Sequence, residues 1–156
     1  MKLGLISDIH ADLKSLRLAL DILQGQNVEQ SICAGDLVDK GIGGDAVVSL
    51  IRERGIPSVI GNHDWLANRN QDWLQRNYGE SHPMLLTDET LEYLTTLPDT
   101  LNFTWEGRRI LLAHGTPWSR DEYVYPYSPQ LVFTQVAQFC EAEAVILGHT
   151  HEPMIA

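Results

Sequence analysis

The sequence predicts an α/β fold, and three observations carry that reading. Strand-like and helix-like periodicities alternate along the chain. Hydrophobic residues make up 44% of the 156 residues, enough for the core of one domain of ordinary size. Five of the six histidines fall just after short apolar runs, in Ser7-Asp8-Ile9-His10, Gly61-Asn62-His63-Asp64, His114-Gly115 and Gly148-His149-Thr150-His151. That placement matters because ligands in open α/β folds bind where strand ends converge.

The elements follow in order. Residues 2–7 read as a strand. Residues 12–24 read as a helix, because Leu13, Leu16, Leu20 and Leu23 share one face. Residues 30–34 are strand-like, and 45–54 form a short helix with Val47, Leu50 and Ile51 inward. A third strand is expected over 57–60. Residues 64–78 read as a helix anchored by Leu66, Trp73 and Leu74. Thr87 caps a helix that runs through Leu97 and is closed by Pro98. Residues 101–105 and 109–113 form a hairpin around Glu106-Gly107-Arg108. Ser128-Pro129 opens a helix, a capping hydroxyl followed by proline at the first helical position, which runs to about residue 141. Residues 144–147 are the last strand. Each strand but the first of the hairpin ends at a motif: Ser7 before Asp8, Ala34 before Gly35-Asp36, Ile60 before Gly61-Asn62-His63, Ala113 before His114, and Leu147 before Gly148-His149.

Bulk properties narrow the function classes. The formal net charge is −10, which argues against an extended nucleic-acid groove lined with Lys and Arg. A small anionic substrate held by metal ions fits that balance, since two divalent cations offset about four charge units. No apolar run approaches bilayer length, so no membrane partner is expected. Residues 1–6 are too short for a signal peptide and read as the first strand of a cytoplasmic protein. Cys33 and Cys140 sit in apolar patterns and read as free, buried thiols.

The chemistry lies in the motif residues. Asp8 and His10 are two apart and reach one ion if the loop bends, and His149 and His151 repeat that spacing. Asp36 has two oxygens and suits a bridge between cations, Asn62 offers an amide oxygen, and His114 an imidazole. Seven such donors are too many for one ion and about right for two. Paired ions bind phosphate oxygens and deprotonate a shared water, whose hydroxide attacks phosphorus in line. His63, outside that donor set and next to Asp64, suits a general acid oriented by a carboxylate. Asp39 reads as a supporting residue behind the ligands. Residues 115–128, rich in Trp, Tyr and Pro, suit a cleft wall or a structural plug, with Arg120 as the basic candidate for a phosphate contact. Trp65, Trp73 and Trp105 read as core, and His82 as surface.

Taken together, Asp8-x-His10, Gly35-Asp36-x-x-Asp39, Gly61-Asn62-His63-Asp64, His114 and Gly148-His149-x-His151 resemble the calcineurin-like metallophosphoesterase superfamily over almost the whole chain. The likeness is greatest to its small bacterial and archaeal phosphodiesterases. It implies an αββα sandwich, two packed mixed sheets flanked by helices. It implies that Asp8, His10 and His151 hold one ion, that Asn62, His114 and His149 hold the other, and that Asp36 bridges. It also implies His63 as the acid with Asp64 orienting it. The cofactors implied are two divalent transition-metal ions, manganese first, with Fe, Zn, Ni or Co as alternatives. The implied function is phosphoester hydrolysis, as a phosphodiesterase or phosphatase acting on a small phosphorylated substrate. The run Gly35–Gly41 also resembles Ser/Thr phosphatases and diadenosine-polyphosphate hydrolases, in which arginine usually stands where Lys40 does. A non-catalytic protein-interaction scaffold on the same fold, and a nuclease, are the competing readings. Relatives normally continue past the Gly-His-x-His motif, whereas this sequence stops at Ala156. The second sheet is therefore expected to lack its C-terminal part, through truncation or as a minimal version, and an uncovered edge strand would favour homo-oligomers.

Overall fold

A computed structural model describes residues Met1–Ala156. The elements run β1 (Leu3–Ile6), α1 (Leu13–Gly25), β2 (Gln30–Cys33), α2 (Gly44–Glu53), α3 (Asn62–Tyr78), α4 (Asp88–Thr96), β3 (Thr100–Trp105), β4 (Arg108–Ala113), α5 (Gln130–Phe139) and β5 (Ala144–Ile146). They form two small sheets flanked by helices. In the first, β1 and β2 pair in parallel with Leu3 opposite Gln30. In the second, β4 is central, antiparallel to β3 and parallel to β5.

Alternation along the strands divides the core in two. Successive strand side chains point to opposite faces. Ile32 therefore joins Ala34, Val59 and Leu112 in a cluster that also takes Leu3 from β1, Leu101 and Phe103 from β3, and Ile146 from β5. Its neighbour Cys33 faces the other way, into the larger cluster built with Leu16 and Leu20 of α1, Val47, Val48 and Ile51 of α2, and Leu94 of α4. Burial pushes the Cys33 thiol up to about 12, so it stays protonated and apolar in behaviour. Cys140 is free and half-buried. No helix is long and apolar enough to cross a membrane.

Several helix ends match the chemistry of their caps. The Asp12 carboxylate accepts from the Ser15 amide at 2.9 Å and starts α1. Thr87 accepts from the Thr90 amide and starts α4. The hairpin turns on Glu106 and Gly107, both left-handed at φ 49° and 79°, the two-residue turn that suits strand twist.

Five local expectations are corrected. Residues 57–60 make one parallel bridge, Ser58 to Cys33, and no longer ladder. The Ile60 amide leaves the sheet to donate to the Pro98 carbonyl at 2.9 Å. Ser128 does not cap α5: its hydroxyl turns back to accept from the Tyr125 amide at 2.9 Å, and α5 ends at Phe139. Trp73 is no anchor of α3. It is 55% exposed and Trp65 is 61% exposed, while Ala67, Gln71 and Leu74 face inward. Gln71 spends its buried oxygen on the Leu86 amide at 2.7 Å, so a polar residue occupies the face assigned to tryptophan.

Candidate metal centre

The five strand-end motifs meet at one place. Three groups of side-chain donors have their ligand atoms within 4.8 Å of one another: Asp8, His10 and His151; His10, Asp36 and His63; and Asp36, His114 and His149. His10 Nε2 is 3.3 Å from His151 Nε2, which is 3.3 Å from Asp8 Oδ1. On the other side, His114 Nε2 is 3.0 Å from Asn62 Oδ1 and 3.1 Å from His149 Nδ1. Asp36 Oδ2 lies between the two halves, 3.7 Å from His10 Nε2 and 3.3 Å from His114 Nε2. All seven residues singled out as ligands are thus brought together, with His63 beside them, its ring 4.8 Å from that of His10 and edge-on to it.

The backbone bends sharply to do this. Asp8, His10, Asp36, His149 and His151 all have left-handed φ between 48° and 69°. Non-glycine residues seldom adopt that region, Asp and His more readily than most, and such strain gathers where a surrounding structure enforces it.

The two carboxylates are held in the same way, one oxygen anchored and one presented. Asp8 Oδ2 accepts from the Ser7 hydroxyl at 2.6 Å and the His149 amide at 3.0 Å, while its buried Oδ1 accepts no hydrogen bond. Asp36 Oδ1 accepts from the His63 amide at 2.9 Å, leaving Oδ2 to the cluster. Gly61 makes that approach possible, since a Cβ there would overlap the Asp36 carboxylate.

Donor chemistry tests whether cations fit. His114 Nδ1 lies 2.6 Å from the Ala34 carbonyl, which only accepts, so Nδ1 carries the proton. In the neutral ring Nε2 is then a bare lone pair facing Asp36 Oδ2, Asn62 Oδ1 and His149 Nδ1. Acceptors converging on acceptors call for a positive charge between them. Without a metal the answer is a second proton: burial pulls the His114 pKa down, but the Asp36 carboxylate outweighs it and the net shift is upward. Burial likewise works to raise Asp36, and His114 outweighs it in the downward direction. His10 and His149 are pushed down, first by burial. The Lys40 ammonium, 3.1 Å from His10 Nε2, adds to that for His10. The donor set of imidazoles, carboxylates and an amide suits transition-metal cations.

The partner of His63 is a correction. Asp64 does not orient it. The Asp64 carboxylate is buried and accepts from three backbone amides, Leu37 at 2.8 Å, Val38 at 3.2 Å and Gly61 at 3.0 Å, tying the loop after β2 to the start of α3. Burial pushes its pKa up to about 6, against those amides. His63 Nδ1 instead donates to Asp39 Oδ2 at 2.8 Å, and Asp39 is steadied by the Asn70 amide and the Lys40 backbone. The physical reason is helical geometry: Asp64 follows His63 directly, and adjacent helix residues do not face each other. Arg120 pairs with Asp99 and lies over the Trp65 ring at 4.3 Å, its Nε buried without an acceptor. Ser7, Asn70, Asp121 and Tyr123 support the site without having been singled out. Only the alternate spacing of Tyr123, Tyr125 and Tyr127 was a visible signal.

The chain as a whole has counterparts among known proteins. A family model described as the calcineurin-like phosphoesterase superfamily domain matches residues 1–156, so the chain belongs to that superfamily. It is 27% identical over 161 residues to an uncharacterised protein of Methanocaldococcus jannaschii, covering 98% of this chain and 63% of that protein. A phosphodiesterase of the same archaeon is 24% identical, with 97% of this chain and 74% of the relative covered. Among solved structures, a metallophosphoesterase from Sphaerobacter thermophilus superposes with a TM-score of 0.78 at 28% identity, over 98% of this chain and 62% of that one. The chain therefore spans a little under two thirds of the length of two of these relatives.

Proposed function

We propose that the chain carries the catalytic centre of a metal-dependent phosphoester hydrolase, with a phosphodiester favoured by the activity of the archaeal relative. The observation that carries this reading is the convergence of lone pairs on two points bridged by Asp36 Oδ2. Asp8, His10 and His151 would hold one ion, Asn62, His114 and His149 the other, and Asp36 both. Two divalent ions, manganese first among the candidates, would supply Lewis-acid polarisation of the phosphoryl oxygens and a water nucleophile ionised at neutral pH.

The remaining work falls to the protein. Asp39 holds His63 in one tautomer and one plane, because Nδ1–H donates to its carboxylate. His63 can then deliver a proton to the leaving oxygen. Asp64 acts through the backbone, fixing the two loops that present Asp36 and Asn62.

The test pairs metal analysis with hydrolysis of a monoester and a diester chromogen. His63→Ala is expected to keep two metal ions per chain and lose about 10²–10⁴ in turnover, the usual worth of a general acid. Unchanged turnover removes His63 from that role. A well-folded protein that takes up no transition metal and hydrolyses neither ester leaves the scaffold reading instead.

A further inference from the structure

One loop segment brackets the ring of His149. Tyr123 stacks face to face on it, ring centroids 3.8 Å apart at 19°. Asp121, two residues earlier, places its carbonyl 3.3 Å from His149 Nε2. That hydrogen bond is long, at the weak end of useful geometry. It selects which ring nitrogen faces inward but does little to fix the plane of the ring. The stack supplies the missing restraint.

The tyrosine is itself backed by neighbours. Tyr125 lies parallel to Tyr123 at 5.4 Å, and Tyr127 parallel to Tyr125 at 5.0 Å, both at 5°. These are ordinary offset-stacking separations. The three tyrosines stand at alternate positions around Val124, which is buried while Tyr123 is exposed and Tyr125 half-buried. Two hydrogen bonds of 2.9 Å close the loop behind the column: the Tyr125 amide donates to the Ser128 hydroxyl oxygen, and the Ser128 amide donates to the Tyr125 carbonyl. Tyr123 is still 51% exposed and Tyr127 73%, so the core does not account for three aligned rings.

Building on the metal-site reading, we infer that Tyr123 is a positioning residue for the ion on the Asn62, His114 and His149 side. It fixes the plane of His149 so that Nδ1 points at that ion. Partners that orient ligands from behind typically change metal affinity by about 10–100-fold. The ion on the Asp8, His10 and His151 side has no such partner in this loop and is expected to be indifferent.

The experiment is calorimetric titration of the metal-free chain with manganese, alongside proton–carbon NMR of the imidazole side chains without metal. Wild type is expected to show two sites and an upfield ring-current shift of the His149 ring protons. Tyr123→Leu is expected to weaken one site about tenfold or more, leave the other within about twofold, and abolish the upfield shift. Tyr123→Phe, which keeps the ring and loses the hydroxyl, is expected to restore both. Equal weakening of both sites in Tyr123→Leu overturns the inference, as does wild-type affinity at both. So does failure of Tyr123→Phe to rescue. A wild type with two manganese sites separates these outcomes from a failure of the metal-site reading, which appears as no binding at all.

Discussion

At the scale of single residues, the site works by giving each acidic group one job. Asp8 and Asp36 each spend one oxygen on the protein and keep the other for the cluster. Asp39 and Asp64 illustrate the opposite assignment, and their variants are expected to part company. Asp39→Asn should leave metal content and stability near wild type and lower turnover about 10–100-fold, since it removes the charge behind His63. Asp64→Asn should mainly destabilise, because an amide NH2 would face backbone donors now satisfied by a carboxylate. About 1–3 kcal/mol is expected for each donor left unmatched, read as a drop in the urea midpoint. Protonation adds a third expectation. His114 holds its proton above the ordinary 6.5 in the metal-free chain. A raised pKa of this kind contributes stability that is fully present below 6.5 and lost as pH rises through the shifted value. Metal must displace that proton, so affinity should climb with pH until the shifted pKa is passed. Calorimetry in two buffers of different ionisation enthalpy should report protons released on metal binding. His10 and His149, being pushed down, contribute less to that release. A proton count of zero, with affinity flat in pH, would remove His114 from the ligand set.

At the scale of elements, the turns after the strands decide where those residues go. Gly61 is the tightest of them, pressed against the Asp36 carboxylate and backbone. Gly61→Ala is expected to push Asp36 out of place, lowering both the melting temperature and the metal stoichiometry. A variant that keeps two ions per chain would show the turn to be more yielding than its contacts imply. The same turns explain what the sequence made legible. Periodicity of 3.6 and of 2 marked α1, α2 and the β3–β4 hairpin to within a residue or two, because each buries one continuous apolar face. Motif positions were legible because each follows a short apolar run, and four of the five follow a strand. Residues 57–60 read as a strand by composition, yet the Ile60 amide finds Pro98 instead, a contact that depends on residues far along the chain. Helix α3 misled for a related reason: Gln71 is buried because Leu86 supplies its partner, and tryptophan then remains outside. The pairing of His63 with Asp39 was hidden because the two lie 24 positions apart, while Asp64 stood next door in sequence.

At the scale of the molecule, the candidate site is also a fastener. Its donors come from the ends of β1, β2, β4 and β5 and from the start of α3, and His10 and His151 are 141 positions apart. The two sheets are small, with β1 and β2 pairing over only four residues. Ions held between the first and last motifs would therefore join segments that the chain alone brings together at a large entropic cost. A ligand that binds only the folded state stabilises it by RT ln(1 + [L]/Kd), about 2.7 kcal/mol at 100 times Kd. For a chain of this size each kcal/mol raises the melting temperature by about 2–4 °C. Saturating manganese is thus expected to raise it by about 5–10 °C, with the rise growing logarithmically in free metal. Asp36→Asn is the informative control. Its amide oxygen can still accept from the His63 backbone, so the fold keeps that contact while the bridging charge is gone. The variant should lose most of the metal-dependent rise. A rise of equal size in Asp36→Asn would mean that manganese binds elsewhere on this acidic surface. No rise in wild type would mean that the converging lone pairs are satisfied by protons and that the centre does not take metal in solution.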